Sequence, residues 1–192
     1  MINDAAPLRV AVIVGSTREG RVGDRIGCWF AEQARRRDDL DVAVIDLLDV
    51  PFPARYPKAT TPGIAEFTAR LGGADAFVVI TPEYNRSFPA ALKEAIDYAY
   101  DEWQAKPVGF VSYGMGSTGL YAVEQLRTVF TGLHSVTMPC RVGFDLLDGS
   151  VDECGEPCEA EAPAQNVKSM LDQLTWWGLA LRDARAARPY VS

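Results

Sequence analysis

The sequence predicts an α/β chain, a parallel sheet with helices on both faces. Three observations carry this. Short, nearly continuous apolar runs recur along the chain, the pattern of strands buried on both faces. Segments with apolar residues at helical spacing separate them. Parallel strands need crossover connections, so this alternation itself selects a parallel sheet.

Taken in order, Leu8–Val14 (LRVAVIV) is the first strand. Ile26, Trp29, Phe30, Gln33 and Ala34 give a helix that ends in Arg35, Arg36 and Arg37, cations that suit a helix C-terminus. Residues 41–46 (DVAVID) make the second strand, and the proline-rich 47–60 a loop. Thr61 reads as an N-cap with Pro62 in the first helical turn, and Gly72-Gly73 close that helix. Residues 76–81 (AFVVIT) are the third strand. Pro89 opens a helix striped by Leu92, Ala95, Ile96 and Ala99. Residues 107–112 (PVGFVS) are the fourth strand. Leu120, Val123, Leu126, Phe130 and Leu133 mark the next helix, and residues 135–138 a short fifth strand. Residues 143–163, rich in Asp and Glu, read as a solvated acidic loop, and 164–187 as a last amphipathic helix in which Trp177 belongs to the buried stripe.

Composition sets limits. A chain of 192 residues, 48% apolar and 23% charged, is read as one domain spanning 1–192. Its net charge of −7 disfavours nucleic acid and anionic membrane as partners. No apolar run approaches the roughly 20 residues of a membrane span. The N-terminus lacks the basic region of a signal peptide. Cys28, Cys140, Cys154 and Cys158 are irregularly spaced and His134 is the single histidine, so no metal site is expected and a cytoplasmic location is. Any Ser-His-Asp or Cys-His mechanism would rest on His134, whose place after a helix favours a structural role. Cys154-x-x-x-Cys158 reads as unpaired thiols rather than a redox pair.

In open parallel sheets, ligands bind beyond the carboxyl ends of the strands. Three loops there have unusual composition. The loop from Gly15 to Gly23 carries three glycines, two hydroxyls and two arginines, the donors a phosphate cradle needs, in neither a Walker nor a G-x-G-x-x-G pattern. A plain β–α turn is the competing reading. Residues 82–89 (PEYNRSFP) present an aromatic and an amide between prolines, as a wall for a planar ligand or as a rigid turn. Residues 113–119 (YGMGSTG) let backbone approach a ligand, or form a flexible helix cap. Together the loops frame a cleft for a phosphate and a flat ring, and FMN is the natural candidate.

These residues carry a resemblance. GSTREGR at 15–21, TPEYNRSFPAALKEAIDYA at 81–99, KPVGFVSYG at 106–114 and AVEQLR at 122–127 resemble the NADPH-dependent FMN reductases over roughly residues 8–140. The resemblance implies a flavodoxin-like three-layer sandwich with a five-stranded parallel sheet in the order 2-1-3-4-5. It implies phosphate contacts at Ser16, Arg18, Arg21, Val22 and Gly23. It implies ring contacts at Pro82, Glu83, Tyr84 and Asn85 on one side and Gly114, Met115, Gly116 and Ser117 on the other. The chain departs from the family where Arg21 and Gly23 replace Ser and Asn, where Met115 and Thr118 replace glycines, and where Tyr121 replaces an arginine. Arg86 stands at a position often held by a small residue or His.

The function implied is an NAD(P)H-dependent oxidoreductase passing hydride to FMN and on to a small acceptor (quinone, azo compound, flavin or metal ion) in ping-pong fashion. No side chain is required as a catalytic acid or base. Arg86 is a candidate partner for the NADPH 2′-phosphate. The family further implies a homodimer or dimer of dimers, with Trp103 reaching toward a partner's flavin. Two other readings stand beside the enzyme: an FMN electron carrier without NAD(P)H activity, and a degenerate binding module that has lost FMN.

Overall fold

The computed structural model describes residues 6–152, 157–158 and 161–191. The strands are β1 (Leu8–Val14), β2 (Leu40–Asp46), β3 (Ala76–Pro82), β4 (Pro107–Gly114), β5 (Val136–Thr137) and β6 (Val142–Asp145). The helices are α1 (Gly23–Arg35), α2 (Pro62–Gly73), α3 (Ala90–Asp97), α4 (Leu120–Gly132) and α5 (Glu161–Ala187). All strand pairs are parallel, in the order β2-β1-β3-β4-β5, the flavodoxin-like arrangement.

The alternation of side chains along each strand builds a core on each face. Val10, Val12 and Val14 of β1 and Val78 and Ile80 of β3 point to one side, where Ile26 and Phe30 of α1 and Met170, Leu171 and Leu174 of α5 cover them. Ala11, Ile13, Phe77 and Val79 point to the other, under Phe67 and Leu71 of α2, Leu92 and Ile96 of α3, and Leu126 and Phe130 of α4. β3 and β4 are buried along their whole length, which explains their unbroken apolar runs. Thr61 caps α2 as its type suggests, its Oγ1 accepting from the Ile64 N–H at 3.3 Å.

The fifth strand position differs from the expectation. Two segments share it: β5 pairs with Pro107 and Val108, and β6 pairs with residues 111–114 of the same strand. Pro139 stands between them and has no N–H for a ladder, so the edge strand breaks and resumes. The acidic segment therefore begins as a strand rather than a loop, with Val142 and Phe144 buried. Its short VGFD alternation was outweighed by the run of acids that follows. Cys154 lies outside the described residues; Cys140 is half-buried, and Cys28 and Cys158 are exposed thiols.

Two tryptophans depart from expectation. Trp103 is a core residue, 1% exposed, packed between Phe77 and Phe130 with its Nε1–H donated to the Ile96 carbonyl at 3.1 Å. Its ring is spent inside the chain and cannot reach a partner. Trp177 is 37% exposed and meets Trp176 edge-on, because α5 turns this face away from the sheet. His134 is structural: it takes a left-handed φ of 60° just past α4, its carbonyl accepts from the Ala105 N–H at 2.9 Å, and its Nδ1 pairs with the Tyr190 hydroxyl at 2.9 Å.

Candidate active site

Strand order reverses between β1 and β3, and the loops leaving β1, β3 and β4 meet at that edge. The first loop ends at the N-terminus of α1. Val22 occupies the N-cap position and offers no side-chain cap, so the positive end of the helix faces the loop unblocked. Ser16 is buried, its Oγ 3.2 Å from the Tyr84 hydroxyl. Arg18 and Gly20 are exposed on the rim, and Gly20 has φ +68°.

Arg21 is placed differently from Arg18. Its guanidinium grips both carboxylate oxygens of Asp46, at 2.7 Å for the Nη1–Oδ1 contact, and also donates to the Ser16 carbonyl. The side chain is only 10% exposed. Arg21 thus ties the loop to the end of β2, and the adjacent carboxylate holds its pKa above the ordinary guanidinium value.

Gly23 is a glycine for a steric reason. A Cβ there would lie 2.5 Å from the hydroxyl of Tyr113. Tyr113 is buried in the cleft floor, and burial pushes its phenol pKa up. The Asn-to-Gly departure in the first loop and the tyrosine at the end of β4 therefore fit one another.

The second loop is a two-residue hairpin. Tyr84 and Ser87 exchange both backbone hydrogen bonds, at 2.8 and 2.9 Å. Asn85 and Arg86 between them have φ +50° and +65°, the geometry of a type I′ turn. Asparagine tolerates that region; arginine pays for it. The compensation comes from α4. Gln125 donates to the Arg86 carbonyl at 2.8 Å and accepts from Ser87 Oγ at 2.6 Å. The Arg86 guanidinium lies over the Tyr121 ring, 4.0 Å from its centroid.

The third loop holds three left-handed residues, Gly116, Thr118 and Gly119, at φ +76°, +52° and +75°. Thr118 keeps a backbone shape that a glycine would adopt freely. Arg141 supports it, donating to the Thr118 carbonyl at 3.0 Å and to its Oγ1 at 2.7 Å, while Ser112 Oγ donates to the same carbonyl at 2.8 Å. Burial lowers the Arg141 pKa from its usual value.

Glu83 locks the second and third loops together. Its Oε2 accepts from Ser117 Oγ at 2.8 Å and from the Tyr121 N–H at 3.1 Å. The N-cap residue of α4, Gly119, has no side chain to offer, so Glu83 caps that helix from the neighbouring loop. From the far side, Asp145 at the end of β6 accepts from the Gly116 N–H at 2.9 Å.

The result is an open cleft of about 490 Å³, within the range of cofactor pockets. One wall is Ser16, Arg18, Arg21 and Val22, another Pro82, Glu83 and Tyr84, and the third Gly114, Met115 and Ser117. Of the other expected positions, Gly23 opens α1, Asn85 sits at the hairpin tip and Gly116 at the apex of the third loop. Arg86 is directed onto Tyr121 and does not line the cleft. Four further residues line it that are not among the expected contacts: Glu19, Gly20 and Tyr113, which belong to the loops singled out in the sequence, and Leu146, which does not. Tyr113 opens the expected loop 113–119, and the structure places it near the end of β4 instead, within Pro107–Gly114. Leu146 follows the unforeseen β6, and its N–H donates to the Gly114 carbonyl at 3.0 Å. No metal-binding cluster of His, Cys, Asp or Glu is present among the described residues.

Comparison with known proteins finds relatives in sequence and in fold. The sequence profile of "NADPH-dependent FMN reductase" matches residues 8–146. An NAD(P)H-dependent FMN reductase of Schizosaccharomyces pombe is 37% identical over 130 residues, 63% of this chain and 64% of that protein. A 2-hydroxy-1,4-benzoquinone reductase of Burkholderia sp. is 27% identical over 185 residues, 93% of this chain and 98% of that one. Among solved structures, a flavoenzyme NAD(P)H:(acceptor) oxidoreductase of Paracoccus denitrificans superposes with a TM-score of 0.74 at 23% identity, covering 90% of this chain and 98% of the other.

Proposed function

The chain belongs to the NADPH-dependent FMN reductase family, oxidoreductases that use FMN with NAD(P)H, and from that premise we propose that it passes a hydride from NAD(P)H to FMN held in the cleft and on to a small acceptor, with a quinone as the favoured class. The observation that carries the reading is the meeting of an uncapped helix N-terminus with two buttressed walls in one cleft.

The residues fit FMN. The N-terminus of α1, the Ser16 hydroxyl and the Arg18 guanidinium supply donors for the phosphate. Arg21 serves this end indirectly, by fixing the loop against Asp46. The close packing around Gly114, where a Cβ would meet Ser117 Oγ at 3.0 Å, the Gly119 nitrogen at 3.1 Å and the Glu83 Cβ at 3.3 Å, keeps the third loop drawn in against the second. FMN bound there supplies hydride acceptance from the nicotinamide and donation to the acceptor.

The chain's own residues orient and exclude. Tyr84 and Met115 flank the ring space from opposite walls. Backbone N–H groups of the two loops are the donors available for negative charge that builds on reduction. Glu83 is committed to Ser117 and Tyr121, and Asp46 to Arg21, so neither carboxylate is free for proton work. NAD(P)H and acceptor use the same open face in turn, which is the basis for ping-pong turnover.

Steady-state oxidation of NADPH and NADH with benzoquinone as acceptor tests this. Parallel double-reciprocal lines are expected. NAD(P)H oxidation absent with retained FMN would instead favour an electron carrier. Intersecting lines would remove the shared-face argument.

A further inference from the structure

A second pocket, of about 380 Å³, lies at the opposite end of the sheet, where Ala105 leads into β4 and the chain after α5 folds back. We propose that it binds a small carboxylate with an apolar body, such as an aromatic acid, independently of the FMN cleft.

The walls and the charge point the same way. Leu181, Ala184, Pro189 and Val191 give the pocket apolar surface. Arg185, Arg188 and Tyr190 line it as well, with the Tyr190 hydroxyl anchored on His134. A volume near the lower end of the small-molecule range suits a single ring rather than a nucleotide.

Positive charge is in surplus here although the whole chain carries −7. Asp75, whose side chain is 3% exposed, is shared by three guanidinium groups: Arg9 at 2.9 Å, Arg185 at 3.6 Å and Arg182 at 3.8 Å. Lys106 is buried nearby, donating to the Leu71 carbonyl at 3.0 Å, and burial together with the charge of Arg185 lowers its pKa to about 8. Arg188 takes part in no ion pair among the described residues. An anion at the pocket mouth would meet Arg188 as a free fork and Arg185 as a partly satisfied one, beside an apolar surface for its body. Phosphate alone would leave that surface unused, and an uncharged ring would leave the cations unanswered.

The test is calorimetric titration of the FMN-loaded protein with benzoate and with its uncharged analogue benzamide. Benzoate is expected to bind one site per chain, about tenfold more tightly than benzamide, with the flavin spectrum unchanged. Arg188→Gln is expected to erase the preference. Ala184→Trp, which fills the pocket, is expected to abolish binding while NADPH oxidation stays at the wild-type rate. Arg188 makes no structural ion pair among the described residues, so its variant should fold normally. Equal affinity for the two probes, or benzoate binding that competes with NADPH and is untouched by either substitution, would overturn the proposal.

Discussion

Glu83 offers the sharpest test of how the site is assembled. Its carboxylate joins the second loop both to Ser117 and to the backbone at the start of α4, beside the contacts that Gln125 and Tyr121 make with the hairpin. Glu83→Ala removes two hydrogen bonds to a charged acceptor, each worth about 1.5–3 kcal/mol in protected settings. Both are partly open to water here, so each falls below that range, to about 1 kcal/mol, and the pair comes to about 2 kcal/mol. If the third loop then orders only when FMN binds, that cost is charged to binding. A loss of about 2 kcal/mol corresponds to a dissociation constant raised about 30-fold. Glu83→Gln keeps one acceptor oxygen and loses the charge, for a rise of about fivefold. Quenching of FMN fluorescence on titration measures both, with a thermal melt of each apoprotein to verify the fold. An alanine variant that binds FMN within about twofold of the wild type would refute the reasoning, since the clasp would then do nothing for the ring wall.

Asp46→Asn should weaken the grip on Arg21, lower stability by about 1–3 kcal/mol because Arg21 is left partly buried with a poorer partner, and weaken FMN binding; denaturant titration and FMN titration report the two effects separately. Gly23→Ala should destabilise by about 1–3 kcal/mol through the contact with the Tyr113 hydroxyl, and Tyr113→Phe in the same chain should recover part of the loss, as a double-mutant cycle would show. Lys106 has a folded pKa of about 8 against 10.5 for a free lysine. Between those values the unfolded chain holds a proton that the folded one has released, so stability should rise as pH climbs from 8 toward 10.5. Lys106→Met should flatten that rise in urea titrations run across this window, and an unchanged slope would count against the buried charge. Arg86→Ala should free the hairpin from Tyr121; if Arg86 also meets the NADPH 2′-phosphate, KM for NADPH rises while that for NADH stays, whereas equal changes in both would leave it a hairpin residue only.

Much of the architecture was legible because buried parallel strands leave an unmistakable trace. LRVAVIV, AFVVIT and PVGFVS are nearly continuous apolar runs, and the structure buries nearly every one of those residues. Thr61, Pro62 and Pro89 marked helix starts through their own backbone chemistry. The site loops were found by position and composition together. What escaped was set by contacts distant in sequence. β6 is only four residues long and is defined by its pairing with β4, so its acidic surroundings hid it. The role of Arg21 depends on Asp46, 25 residues away, and that of Thr118 on Arg141, 23 residues away. Trp103 sat beside exposed-looking neighbours, and only the packing of Phe77 and Phe130 reveals it as core. In each case the residue type was compatible with two roles and the tertiary partner chose between them.

The central claim, that the cleft holds FMN and presents it to a nicotinamide, is tested most directly by the visible spectrum of the purified protein with FMN, followed by NADPH under anaerobic conditions. The account predicts protein-bound flavin bands that bleach on addition of NADPH and return when benzoquinone is admitted. Flavin that fails to bind even at high FMN, or bound flavin whose bands are unmoved by NADPH and NADH alike, would contradict it.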